Sequence, residues 1–469
     1  MISVEAFVIA TALFVALNFA IGLWKLKSDS FASYISYRNS MGALPLALSI
    51  VGTVAGGGMF FAVTEMGYDG GLSVFCLPIA TSLGLLAMLV LTPRLRGLCE
   101  SHNCATMFEL ISARFTPSKC QVAFSATITI AYFILYFFLL AGQILVLSTF
   151  IQYIIDFAQV HSLLIAAAIV FLNCLVYGVI GGLKKDIFTD IFQVVVIFLV
   201  LVVFVLVLDP PLYALGTERR DPPESDDFGL VFVVGVLLFF SPAFLIRYDL
   251  WQRMLAAKNV ASFRAALVIS IPLSVLVYAF FILLGILSRN TLPPTDNPTL
   301  VLLHLVDAQP AGAIAIVVLL GLFCAVLSSS DTFLNISTVS ALQLFGKTVQ
   351  QSTRRRDLAI ARAVSLAVAV SAVGVTLLAS DIVDLLVGAF SSLVMLVPSL
   401  LYVLLSRSPK AAWALCATAV PIIVFLVCFF AFPDLRTIAF VPGFLLGGVI
   451  ILIRLAANRM GKSHNTRTV

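Results

Sequence analysis

Apolar residues run through this chain in long blocks separated by short polar stretches. Each block is close to the roughly 17–25 residues needed to cross a hydrocarbon core. Thirteen such spans are expected, beginning with Ser3–Trp24, Leu44–Glu65, Gly71–Leu91, Val122–Phe150, Leu163–Val179 and Ile187–Leu208. After an acidic, proline-rich loop at Asp209–Asp227 come Phe228–Leu250, Ala265–Leu287, Ala313–Leu334, Val364–Ala379, Ile382–Leu405, Trp413–Phe432 and Ile438–Ile453. Nothing in lipid replaces a missing backbone hydrogen bond, so each span is expected to be α-helical. The loops are short, and the segment Leu95–Lys119 is expected to carry a short helix around Met107–Phe115.

Two blocks are interrupted. Gly56-Gly57-Gly58 breaks span two, and span seven holds Gly235 followed by Ser241-Pro242. Proline there removes a backbone donor and clashes with the preceding turn. Unwound backbone at bilayer depth survives only where it is buried or lines a cavity, and its freed carbonyls can coordinate a small cation. The breaks are five spans apart, an odd offset that gives two halves of opposite orientation, as an inverted repeat requires. Glycine and proline are also common in membrane helices generally, so either break alone would carry little.

The expected architecture is an all-α polytopic membrane protein with a single transmembrane domain. Residues 1–43 form the first span and its loop, 44–208 and 228–405 the two repeats, and 411–469 two peripheral spans and a tail.

Composition agrees with the pattern: 61% of the 469 residues are hydrophobic and only 11% are charged. The cationic residues set the orientation. Of 28 Lys and Arg, 23 fall in the loops after odd-numbered spans or in the C-terminal tail, which places the N-terminus outside and the C-terminus in the cytoplasm. The net charge of +5 is therefore topology, and no basic stripe interleaved with aromatics suggests nucleic acid. Span one is too long and too closely followed by Lys25 and Lys27 to read as a cleaved signal peptide. The eight cysteines lack metal-ligand or redox spacing and read as small apolar fillers. With no phosphate loop, no nucleophile beside a base and no metal motif, an enzyme is not expected.

The chemistry is concentrated at a few polar positions. Ser328-Ser329-Ser330-Asp331 puts four polar side chains on one turn of span nine. Sodium is a hard cation that selects oxygen ligands. The hydroxyls of Ser328 and Ser329, with freed carbonyls of span two such as those of Gly52 and Ala55, would complete a cage. Membrane serines also bond back to the preceding turn or join helices, and that alternative stays open.

Glu65, Asp190, Arg247 and Asp331 are ionisable groups within spans, each a functional candidate because burial is costly. Asp190 can guide a cation out or cap its helix. Arg247 can hold a carboxylate bidentately or pair internally with Asp249, Asp331 or Glu65. Glu65 can mark the outer end of span two. Tyr132, Tyr136 and Gln143 share one face of span four, either lining a cavity or forming a packed polar seam.

These residues resemble the sodium:solute symporter family over nearly the whole chain. The resemblance rests on the glycine-rich second span ending Gly67-Tyr68 and Gly70-Gly71, then Gly181-Gly182-Leu183-Lys184 with Thr189-Asp190 and Gln193. It continues through Trp251-Gln252-Arg253-Met254-Leu255-Ala256-Ala257-Lys258, then Ala325, Ser328-Ser329 and Asn335. It implies a LeuT-like core of two inverted five-helix repeats. It also implies a sodium site at the carbonyls of Gly52, Ala55 and Ala325 and the hydroxyls of Ser328 and Ser329, with Asp190 and Asp331 on the ion path. Gly56, Gly57, Gly58, Glu65, Tyr136, Gln143 and Arg247 are the expected solute-binding positions. Within the family the glycine run with Glu65, and Asp331 after the serines, look most like the choline transporters. Arg247 and Val54 depart from that branch where it carries aromatics, which points to a carboxylate-bearing solute instead.

The expected function is sodium-coupled import of a small organic solute across the cell's inner (plasma) membrane, by alternating access. Its expected partners are the solute, sodium and the bilayer, with no obligate protein partner evident. A proton-coupled version using Asp190 or Asp331 is the nearest alternative. A solute sensor is the other, and it would need a separate partner because Ala456–Val469 is too short for an output domain.

Overall fold

The computed structural model describes residues 8–9, 11–14, 30–155, 159–174, 180–207, 228–295, 297–308, 312–346, 355–377, 382–432 and 438–465. Most of span one and the Asp209–Asp227 loop lie outside these residues. A helical element falls on every expected span from the second to the thirteenth. Among the described residues, eight helices are long and apolar enough to cross a membrane, or nine if one bent pair counts as a span. Length and composition alone thus do not return thirteen. One cause is that the first half of span two, Ala43–Val54, is only 12 residues long.

Span nine, Gly312–Leu344, forms the centre. Its most apolar stretch is 83% buried, against 17% for span thirteen, Phe440–Asn465. It packs on span four, Lys119–Ile155, and span six, Ile180–Val207, while spans twelve and thirteen pack on each other at the periphery.

Span two leaves the helix at Ala55 (φ −82°, ψ 36°) and Gly56, is helical again from Gly57, widens into a π-helix at Met59–Val63 and continues as α-helix at Thr64–Gly70. The break thus falls where the three glycines remove the side chains that favour helix. Span seven breaks a little later than the Ser241-Pro242 pair suggests. A π-helix at Val236–Phe240 absorbs the proline's missing donor, and Pro242 sits in the first turn of the short helix Ser241–Ala243, where it is tolerated. The chain leaves the helix only at Phe244–Arg247, where Arg247 is extended (φ −60°, ψ 120°). The half-helix Tyr248–Ala256 then starts at an angle of 41° to the preceding half.

On the side carrying the basic loops, a strap at 39–41 is stapled to the end of this half-helix. Asn39 N–H donates to the Leu255 carbonyl (3.1 Å), Ser40 N–H to Ala256 (2.8 Å), and Lys258 N–H back to Met41 (2.9 Å). Arg96 fastens the same junction through the carbonyls of Ala257 (2.8 Å) and Lys258 (3.2 Å) and Asn39 Oδ1 (2.7 Å). The short helix expected near Met107 is present at Met107–Ala113. Thr106 Oγ1 accepts from Glu109 N–H, and Glu109 Oε2 accepts from Ala105 N–H, a reciprocal cap. Burial pushes the thiol of Cys104, in the preceding loop, up to about 11, which suits the filler role expected of the cysteines.

Candidate functional site

The break in span two lies against the serine turn of span nine. Gly52 is needed there because a Cβ would lie 2.9 Å from Ser328 Oγ and 2.9 Å from Val194 Cγ2. A Cβ on Gly56 would collide with Ser329 Oγ. The two serines behave differently. Ser328 Oγ donates to Asp190 Oδ1. Ser329 Oγ is buried, faces the break and has no hydrogen-bond partner. Ala55 is the residue at which the helix ends, and Ala325, fully buried, lies one turn before Ser329. Gly57 N–H donates to Gln143 Oε1 (3.1 Å), so span four reaches directly into the break.

Asp190 is neither exposed nor at a helix start. Span six turns at Gly182 (φ 58°) two turns earlier, which sets the capping alternative aside. Its carboxylate accepts from Ser49 Oγ (2.5 Å), Ser328 Oγ and Arg253 Nη2 (3.0 Å). Arg253, fully buried, also reaches Ser49 Oγ (2.9 Å), Thr332 Oγ1 (3.1 Å) and Asp186 Oδ2 (3.5 Å). Four elements thus meet around one guanidinium: both broken spans, span six and span nine. Arg253, Asp186, Ser49 and Thr332 are not among the site residues expected from sequence. Their signal was available in the i,i+4 spacing of Asp186 with Asp190 and of Asp249 with Arg253, which places each pair on one helix face. Asp331 is buried on the same turn as the serines and interacts electrostatically with Lys185.

At the break in span seven, Arg247 forms the internal pair that was one of its two alternatives. Its Nε and Nη2 donate to Asp249 Oδ1 (3.1 Å) and Oδ2 (2.9 Å). Tyr136 OH donates to Asp249 Oδ1 (2.9 Å) and accepts from Tyr248 N–H (3.1 Å), and Tyr132 OH donates to the Ile246 carbonyl (2.5 Å). The face of span four predicted from spacing therefore holds both breaks, span two through Gln143 and span seven through the two tyrosines. Glu65 is not in this group: its carboxylate accepts from Thr299 Oγ1 (2.8 Å) in the short 3-10 helix Pro298–Leu300 before Val301–Asp307.

Two helices broken at corresponding places in opposed halves, with polar groups gathered at the breaks, are the arrangement that multi-pass membrane transporter folds share. Residues 34–210 match the sequence profile of the sodium:solute symporter family, so the family read from the motifs is the one found across spans two to six. The comparison with curated proteins finds no match.

Among solved structures, the chain is similar to a Na+-coupled sialic acid symporter in a substrate-bound outward-open state. The TM-score is 0.74 and the identity 14%, covering 95% of this chain and 96% of that one. It is also similar to Mhp1, a nucleobase-cation-symport-1 family transporter in a closed conformation with bromovinylhydantoin bound, with TM-score 0.57, identity 15% and coverage of 93% and 97%. A mutant of the manganese transporter of Eremococcus coleocola follows with TM-score 0.55, identity 15% and coverage of 93% and 99%. At these identities the likeness establishes the fold, which is LeuT-like.

Proposed function

We propose that the protein is a sodium-coupled symporter that imports a small organic solute by alternating access. The observation that carries this reading is Ser329: a hydroxyl buried without a partner and pressed against the broken backbone at Gly56. A buried polar atom left unsatisfied costs stability unless something else completes it. The carbonyls of Gly52, Ala55 and Ala325 with the hydroxyls of Ser328 and Ser329 offer the oxygen set a hard cation takes. The Arg253-bound carboxylate of Asp190 is joined to this set through Ser328, and Asp331 is buried on the same turn as the serines.

The solute lies between the two breaks, against Gly56, Gly57, Gly58, Tyr136, Gln143 and Arg247, with Glu65 toward the outer end. A carboxylate-bearing solute is held by Arg247, which must then exchange Asp249 for the solute or share its donors with it. Residues 44–208 and 228–405 rock as two opposed repeats, with the N-terminus outside and the C-terminus in the cytoplasm of a plasma membrane. Coupling requires only that sodium favour the state that also binds solute.

The test is uptake of candidate solutes into proteoliposomes with and without an inward sodium gradient. Accumulation that persists when sodium is replaced by potassium, or that follows a proton gradient instead, overturns sodium coupling. Solute binding without any accumulation favours a sensor.

A further inference from the structure

We propose that the cleft between the 32–40 segment and the 102–105 loop binds a phosphate-bearing anion that acts on the half-helix Tyr248–Ala256. The cleft is a cavity of about 350 Å³ lined by Ser33, Ser36, Tyr37, Arg38, Ser40 and Asn103. Among the described residues no carboxylate lines it, and Glu109, close by in the chain, is engaged with Ala105 N–H at 2.7 Å. The serine hydroxyls are turned to backbone carbonyls, Ser33 to Ser30 (3.0 Å), Ser36 to Ala32 (3.2 Å) and Ser40 to Arg38 (2.8 Å). The guanidinium of Arg38 is therefore the cavity's cationic donor, and its Nε is buried without a hydrogen-bond partner. Lys184, outside the lining, places its Nζ 5.8 Å from the centroid of the Tyr37 ring, which does line the cavity. A planar guanidinium that no carboxylate opposes among the described residues suits a phosphate oxygen.

The backbone around the cleft is unusual. Among the described residues, left-handed φ values outside glycine occur only at Tyr37 (36°), Asn39 (56°) and Asn103 (51°). Two of these residues line the cavity and the third lies between Arg38 and Ser40. Such conformations cost energy and persist where the surroundings over-determine them. Around Asn39 the surroundings are the strap that joins residues 39–41 to Leu255, Ala256 and Lys258. An anion drawn to Arg38 therefore bears directly on the helix that carries Asp249 and Arg253. The basic loops assign this face to the cytoplasm, where anionic headgroups and free phosphate are both at hand.

Both sources offer the same chemistry, so the experiment separates them. The purified protein is titrated with inorganic phosphate in detergent, against sodium chloride at matched ionic strength. In parallel it is placed in nanodiscs of phosphatidylcholine alone or of equal parts phosphatidylcholine and phosphatidylglycerol. Thermal unfolding is followed in both. A rise in unfolding midpoint with phosphate assigns a soluble ligand, and a rise only with phosphatidylglycerol assigns a lipid. In either case Arg38→Gln should weaken the response about tenfold, and Arg38→Lys, which keeps the charge but loses the planar donor fork, should weaken it less. No response to either probe, or an equal response in Arg38→Gln, overturns the proposal. A lower midpoint in Arg38→Gln with no probe present, and no change in response, would assign Arg38 to an internal contact and overturn it equally. Sodium binding serves as the independent readout, since its loss in the wild type would count against the symporter reading and not against this site.

Discussion

Arg253 and Asp190 form an ion pair (3.0 Å) in which both side chains are fully buried; the same Nη2 also lies within reach of Thr332 Oγ1 and Asp186 Oδ2, while Nε reaches Ser49 Oγ. Two carboxylates one helical turn apart are thus held together by one guanidinium. Removing one partner of a buried pair typically costs about 3–5 kcal/mol, because the other charge is left uncompensated. Arg253→Met should fall in this range, measured as a loss of unfolding midpoint in detergent. A variant as stable as the wild type would mean that the pair contributes nothing net.

The two serines should separate cleanly. Ser328→Ala removes a donor from Asp190 and should lower stability by about 1–3 kcal/mol even without sodium. Ser329→Ala removes a hydroxyl with no protein partner, so sodium-free stability should hold while sodium-induced stabilisation and uptake are lost. Sodium titrations followed by thermal shift measure both; unchanged sodium affinity in Ser329→Ala removes this residue from the ion site.

Gly52 tests the close approach of the helices. Gly52→Ala places a methyl 2.9 Å from Ser328 Oγ and Val194 Cγ2 and should cost about 1–3 kcal/mol by overpacking. Gly97→Ala, on an open surface of the helix Cys76–Ser101 that continues beyond span three, meets nothing within 4 Å and should be neutral or stabilising by about 0.5–1 kcal/mol. Comparing their unfolding midpoints controls for helix propensity.

Asp249 decides the charge a solute meets. If a solute carboxylate takes over Arg247, Asp249→Asn should tighten binding of anionic solutes by removing the competitor, while Arg247→Gln should abolish it. Calorimetric titration measures both. Loss of solute binding in Asp249→Asn would instead point to a cationic group on the solute.

Legibility differed between the two broken helices for a physical reason. Three consecutive glycines leave little choice about where span two unwinds, and the helix does end at Ala55. In span seven the π-helix at Val236–Phe240 accommodates Pro242, so the unwinding moves on to Phe244–Arg247, which no composition rule marks. The polar face of span four was readable from spacing, whereas its partners Gly57, Ile246, Tyr248 and Asp249 were not.

The sequence by itself determined the membrane class, the helical segments from the second span onward, their alternating charge and the glycine break, because each follows from local hydropathy and backbone freedom. Only the tertiary structure decided that Arg247 pairs with Asp249, that Arg253 serves Asp190 and Asp186, and that Ser329 faces the break unpartnered. Those choices depend on which helix faces meet across more than sixty intervening residues in the Arg253–Asp190 case, and pairing over that distance is set by packing, not by any local pattern.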